Sequence, residues 1–278
     1  MHVLYLFAGV ERRADVRHYL EELAKKDGYT LKGLQLDILR NEGHNLHKEE
    51  VWAWVSQQLE SGIVDLFLVA PPCNTHSRAR CQYREYGGPR PLRDRNFPHG
   101  FPWLSEANRE KVRLADELVQ KSLQGCRIVR EQNGHFFLEH PEQLGLTAGQ
   151  IPASIWDLPE VAELLCQKGV RTFAVFQCDF SAPSSKPTRF LTTLDPREVG
   201  YKGLHRLDEE GRYLGPLPKQ CPHGANAHKA LVGKDEQGRW MTAPSATYPP
   251  DLCKWIAAMA WPSLLRLRGG EVRPCKAE

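Results

Sequence analysis

Apolar residues recur along this chain in two periods, and the two alternate. Val3 to Phe7 is a short apolar run ending in Ala8-Gly9, after which Val16, Tyr19, Leu20 and Leu23 repeat at helical spacing within Ala14 to Lys26. Tyr29 to Ile38 predicts a second strand, and Lys48 to Glu60, with Val51, Trp52, Val55 and Leu59, a second amphipathic helix. Val64 to Ala70 is apolar throughout apart from Asp65, as in a strand buried between helix layers. Farther on, Asn108 to Glu131 reads as a long helix and His135 to Glu139 as a strand. Ile155 to Gln167 reads as a helix interrupted at Pro159, and Thr172 to Gln177 and Arg189 to Thr192 as the last strands. This order predicts an α/β fold, a Rossmann-like, mostly parallel sheet with helices on both faces. From Leu194 the texture changes: turn signals at Glu210-Gly211 and Gln237-Gly238 predict two hairpins. The expected organisation is a main domain over 1–193, a small β-rich subdomain over 194–242, a helix within 243–265 that returns to the main domain, and a frayed tail over 266–278.

In an open parallel sheet, ligands bind beyond the carboxyl ends of the strands. Those ends carry Phe7-Ala8-Gly9, Asp37-Ile38, Ala70-Pro71-Pro72-Cys73 with Ser77 four residues on, and Glu139-His140-Pro141. A small residue after the first strand lets a ligand approach the backbone, and an acid after the second can accept ribose hydroxyls, which together suit a nucleoside. Cys73 and Glu139 add a thiol nucleophile with an acid in reach.

With these motifs, residues 3 to 193 resemble the DNA cytosine-5 methyltransferases, a class I S-adenosylmethionine-dependent family with Phe-Ala-Gly, a second-strand acid, Pro-Pro-Cys and a fourth-strand Glu at these places. Asp179-Phe180-Ser181-Ala182-Pro183 followed by Lys186, Thr188 and Arg189 is similar to a later family stretch, and Tyr248-Pro249-Pro250-Asp251-Leu252 to its closing motif. The chain departs from the pattern at Glu11 in place of a second glycine, at His140 in place of Asn, at Lys186 and Thr188 in place of arginines, and at Ala246 in place of Asn. The resemblance implies that Phe7, Ala8, Gly9, Asp37, Ile38 and Pro71 line a site for S-adenosylmethionine. It implies Cys73 as the nucleophile on carbon-6 of cytosine and Glu139 as its acid partner, with Ser77, Arg78, Arg80, Arg84, Lys186 and Arg189 against nucleic acid, DNA in preference to RNA. The alternative is a catalytically weak or inactive methyltransferase-like nucleic-acid-binding module of mobile-element origin, which Glu11 favours. An amino-methylating enzyme of the same fold fits less well, since Ala70 and Cys73 match neither end of its motif.

Charge sharpens this picture locally. The formal net charge is only +3, yet between His76 and Arg95 six arginines stand against Glu85 and Asp94, interleaved with Tyr83 and Tyr86. Such a cationic loop suits a phosphate backbone. With 278 residues, 41% of them hydrophobic, the chain can bury a sizeable core, and no apolar run approaches the ~20 residues that cross a bilayer. Met1-His2 leads directly into the first strand without a basic leader, and the eight cysteines are scattered, so an intracellular monomer, nuclear or cytoplasmic, is expected. Cys221, His223 and His228, joined by Cys178, are ligand types suited to zinc, but their spacing matches no standard finger. On sequence alone a loop cysteine among surface histidines is the favoured reading there. Trp52, Trp54, Trp240 and Trp255 are expected in core or hairpin packing.

Overall fold

The computed structural model describes residues 1–82, 88–200, 206–224, 227–228, 231, 233–242 and 244–269. Strand and helix alternate through β1 (His2–Leu6), α1 (Val16–Lys26), β2 (Lys32–Leu36), α2 (Glu49–Glu60), β3 (Leu66–Val69), α3 (Glu106–Glu131) and β4 (His135–Pro141). Then come α4 (Pro159–Leu165), β5 (Arg171–Phe176), β6 (Pro187–Thr192) and α5 (Pro250–Leu267). One six-stranded sheet runs in the order β2-β1-β3-β4-β6-β5. Neighbours from β2 to β4 are parallel, and only β6 is reversed against both of its neighbours. The architecture is therefore mixed α/β with a mostly parallel sheet.

The strand pleat sends alternate residues to opposite faces, which builds two cores. Val3 and Tyr5 of β1, Leu66 and Leu68 of β3 and Phe137 of β4 pack with Val16 and Leu20 of α1 and with Leu252, Ile256 and Met259 of α5. Leu4, Leu6, Phe67, Val69, Phe136 and Leu138 point the other way, onto Trp52, Val55 and Leu59 of α2, Val119 and Leu123 of α3, and Val161 and Leu164 of α4. Helix α3 comes close because Gly125 faces the sheet: a Cβ there would lie 2.7 Å from the Phe67 ring. Asp15 starts α1 by accepting from the His18 N–H at 2.8 Å.

Several boundaries differ from expectation for identifiable reasons. The interrupted helix is a separate 3-10 turn at Ile155–Asp157 followed by α4, which begins at Pro159. Helix α5 passes through Pro262 to Leu267, beyond the expected bound at 265, because Trp261, Leu264 and Leu265 are buried in the α1-side core and packing overrides the lost hydrogen bond. The two hairpins are tight turns closed by single bridges, Leu207 to Tyr213 and Lys234 to Trp240, and the described residues of 194–242 hold no strand. In each turn an aspartate replaces the ladder. Asp208 accepts from the Arg212 backbone N–H at 2.7 Å and Asp235 from that of Arg239 at 2.8 Å, and each also accepts from the arginine's Nε. Residues 270–278 of the expected tail lie outside the described residues. No helix among those described is long and apolar enough to cross a membrane.

Candidate functional site

The chain leaves β1 for β2 on one side and crosses to β3 on the other, so β1 and β3 flank the point where strand order reverses. A crevice is expected beyond their carboxyl ends. A cleft of about 1080 Å³ opens there, large enough for more than one small reactant. Phe7, Ala8, Gly9, Asp37, Ile38, Pro71, Cys73, Ser77, Arg78, Arg80, Glu139 and Lys186, spread over 180 residues of sequence, all line it.

The β1 turn is built for close approach. Phe7 has φ 59°, a left-handed conformation uncommon for a bulky residue, and Gly9 has φ 71° with nothing within 4 Å of where a Cβ would stand. Asp37, buried at the end of β2, holds two turns at once, since its Oδ2 accepts the Gly9 N–H and its Oδ1 the Leu39 N–H, each at 2.8 Å. Each oxygen retains a lone pair for a further donor. Arg40 braces the same turn by donating to the Gly9 carbonyl at 2.5 Å and to Gln35 at 2.7 Å. Arg12 ties it to the start of α5, donating to the Tyr248 carbonyl at 2.6 Å. Glu11 is exposed and does not line the cleft.

On the other side of the cleft stand Cys73, Glu139, Lys186 and Tyr248. Burial raises the Cys73 thiol pKa, the Lys186 ammonium lowers it and Glu139 raises it again. Glu139 is buried and its pKa is raised by burial, against the opposing pull of Lys186 and of the Tyr248 hydroxyl. Glu139 Oε1 lies 3.8 Å from Lys186 Nζ and has no hydrogen-bond partner. The set is thus a thiol, a carboxyl poised toward its protonated form, and one cation beside them. Lys186, expected on nucleic acid, sits with the thiol and carboxyl.

The arginines divide. Arg78 and Arg80 line the cleft, and Arg80 is braced by donating to the Asn74 and Arg90 carbonyls at 2.6 and 3.0 Å. Arg93 is a buried strut: it pairs with Asp116 at 2.5 Å and donates to Thr75 Oγ1 at 3.0 Å and to the Val112 carbonyl at 3.2 Å, fixing the loop that follows Cys73. Arg84 lies outside the described residues. Arg189 is away from the cleft, with its guanidinium 4.9 Å from the ring centroids of both Trp156 and Tyr213 in a smaller pocket beside Glu142.

Trp52 and Trp255 are buried as expected, whereas Trp54 is 42% exposed, and Trp240 is 40% exposed and lines the cleft. Sequence reasoning missed Arg12, Arg40 and Arg93 as braces. Comparison with models of known families, with curated proteins and with solved structures finds no match.

Proposed function

We propose that the protein transfers a methyl group from S-adenosylmethionine to carbon-5 of cytosine in DNA through a covalent Cys73 adduct. The observation that carries this reading is the convergence of Cys73 and Glu139 with Gly9 and Asp37 on one cleft at the reversal of strand order. The open space beyond Gly9 and the remaining acceptor capacity of Asp37 fit a nucleoside cofactor, which Phe7, Ala8, Ile38 and Pro71 would enclose. When bound, S-adenosylmethionine supplies the methyl group and leaves as the neutral thioether.

The chain's own groups do the rest. Cys73, as thiolate, forms a sulfur–carbon bond to carbon-6 of the base, and the electron pair of the ring double bond moves to make carbon-5 nucleophilic. Glu139 gives a proton to nitrogen-3 so that the ring need not carry the negative charge. Lys186 favours the thiolate while the base is being engaged. After methylation, the carbon-5 proton passes to solvent water, the double bond is restored as the Cys73 thiolate is expelled, and nitrogen-3 returns its proton to Glu139. The base must leave the duplex stack to reach the thiol, and Arg78 and Arg80 at the cleft rim suit the flanking phosphates.

A DNA duplex carrying 5-fluorocytosine tests this, since fluorine cannot leave as a proton and the thiolate stays bonded. With S-adenosylmethionine present, the expected result is a denaturation-resistant adduct that is absent in Cys73→Ser and slowed in Glu139→Gln. No adduct in protein shown by calorimetry to bind both cofactor and DNA would overturn the reading in favour of a binding module.

A further inference from the structure

Outside the cleft's catalytic side, one group of side chains has no role in the chemistry above. Cys178, Cys221, His223 and His228 bring one ligand atom each to a common point, all within 4.8 Å of one another. Cys221 Sγ is 2.9 Å from His228 Nε2, and Cys178 Sγ is 3.6 Å from His223 Nδ1. The two imidazoles stand edge to face with centroids 5.6 Å apart, so their nitrogens approach from different directions. In a tetrahedral zinc site, with Zn–S about 2.3 Å and Zn–N about 2.0–2.1 Å, neighbouring S and N ligands stand roughly 3.6 Å apart. The four atoms need only small rotations to reach that spacing.

We propose that Cys178, Cys221, His223 and His228 bind one zinc ion, which fastens the segment after β6 to the end of the sheet. Both thiols lose their protons on binding, so two thiolates balance the dication and the site is neutral where it is partly buried. The chain topology gives the metal a purpose. Cys178 follows β5 directly, in the 3-10 turn Gln177–Phe180, while the other three ligands come from the irregular segment beyond residue 206. Among its described residues that segment is held by single-bridge turns, by Leu207 against the α1-side core, by Tyr213 under the Arg189 guanidinium, and by a small apolar contact of Leu217 and Cys221 with Leu144, Ala174 and Phe176. Such loop-rich pieces are where structural zinc supplies stability.

An outer shell is also present. His223 turns Nδ1 to the thiol of Cys178 and Nε2 toward Asp179 Oδ1, 3.9 Å away, an arrangement in which a carboxylate orients a ligating imidazole. Cys221 and His228 line the cleft as well, so a metal there would fix part of the cleft wall. The proposal does not depend on the methyl-transfer reading.

The test uses the full chain purified under reducing conditions with zinc in the growth medium. Metal analysis should find about one zinc per chain. Replacement by cobalt(II) should give a thiolate-to-cobalt charge-transfer band with the intense visible bands of a tetrahedral ion. Cys221 is buried and its loss disturbs packing, so the deciding variants are Cys178→Ser and His223→Ala, on the more exposed side. Each should lower retained zinc at least tenfold after passage over a weak chelator, while Cys166→Ser, at an exposed cysteine elsewhere, retains it. Titrating zinc into metal-stripped wild type should raise its thermal midpoint, and zinc should leave the midpoint of Cys178→Ser unchanged. A folded, reduced wild type that takes up neither zinc nor cobalt overturns the proposal. So does zinc retained equally by both variants, or a Cys178–Cys221 disulfide in freshly isolated protein.

Discussion

Lys186 Nζ stands 3.8 Å from Glu139 Oε1, and the same ammonium is the main opponent of burial at the Cys73 thiol. One cation therefore biases both the thiol and the carboxyl toward their charged forms. The backbone at Lys186 takes φ 23°, a conformation side chains rarely adopt, so the loop before β6 accepts strain where this lysine is placed. Lys186→Met should leave the fold intact and move the pH dependence of 5-fluorocytosine trapping to higher pH, because the thiol loses its stabilising charge. At neutral pH trapping should slow by about tenfold or more. An unchanged pH profile would return Lys186 to a phosphate-binding role.

Asp37 is both a strut and a candidate ligand. It holds the Gly9 and Leu39 N–H groups, so Asp37→Ala should weaken S-adenosylmethionine binding by roughly 1.5–3 kcal/mol, from lost charge-assisted hydrogen bonds. Asp37→Asn separates the two roles. Its amide oxygen still accepts one backbone N–H, but its NH2 group faces the other donor. Calorimetry should place the Asn variant between Ala and wild type, and equal affinity in all three removes Asp37 from the site.

How much of this was legible depends on what each residue must reach. Val64 to Ala70 announced a buried strand because both of its faces meet helices, and Asp37, Cys73 and Glu139 were legible because a parallel sheet delivers the ends of its strands to one edge. Arg12 was not, since its partner is a backbone carbonyl 236 residues away that no local pattern marks. Arg93 was misread as one more charge of a phosphate-facing loop, because burial by Asp116 and Val112 comes from a helix whose docking the loop sequence does not encode. Trp240 packs in its turn as its sequence suggests, with Lys234 Nζ 4.9 Å from its ring centroid, but nothing local marks that the same ring also lines the cleft. Cys178 could be joined to the Cys221 group only as a guess, because the end of β5 is what carries it there.

The division among the arginines gives opposite expectations for Arg78 and Arg93, fifteen residues apart in sequence. Arg93 is almost fully buried, and Arg93→Met removes the donor from Thr75 Oγ1 and from the Val112 carbonyl and leaves Asp116, 24% exposed, with His99 alone at 3.0 Å, so it should cost about 1–3 kcal/mol of folding stability. Arg78→Ala should cost little stability and instead reduce the salt dependence of DNA binding by about 0.9 for one lost phosphate contact. Urea unfolding and a salt titration of binding read the two effects separately. A stable Arg93→Met with a flattened salt slope would show that Arg93 faces the nucleic acid after all.

Buried titratable groups near β4 make stability depend on pH in two opposing ways. His140, with both ring nitrogens unpartnered, is held neutral by burial, which lowers its pKa to about 3, and burial likewise lowers His135 to about 4. Unfolded, each titrates near 6.5. As pH falls below 6.5 the unfolded chain takes up protons that the folded chain refuses, so this contribution is lost toward acid, by up to about 1.4 kcal/mol per pH unit for each histidine. Glu142 acts in the other direction, because burial raises its pKa to about 7 and the folded chain is the one holding the proton. Its contribution is present below the unfolded value of 4.5 and is lost as pH rises from there to 7. Between 4.5 and 6.5 the two effects overlap and partly cancel. Denaturant unfolding across that window should show a slope reduced by about 1.4 kcal/mol per pH unit in His140→Asn and steepened by as much in Glu142→Gln. Identical slopes in wild type and His140→Asn would mean that His140 is protonated in the folded protein, and would place a carboxylate or water against its ring.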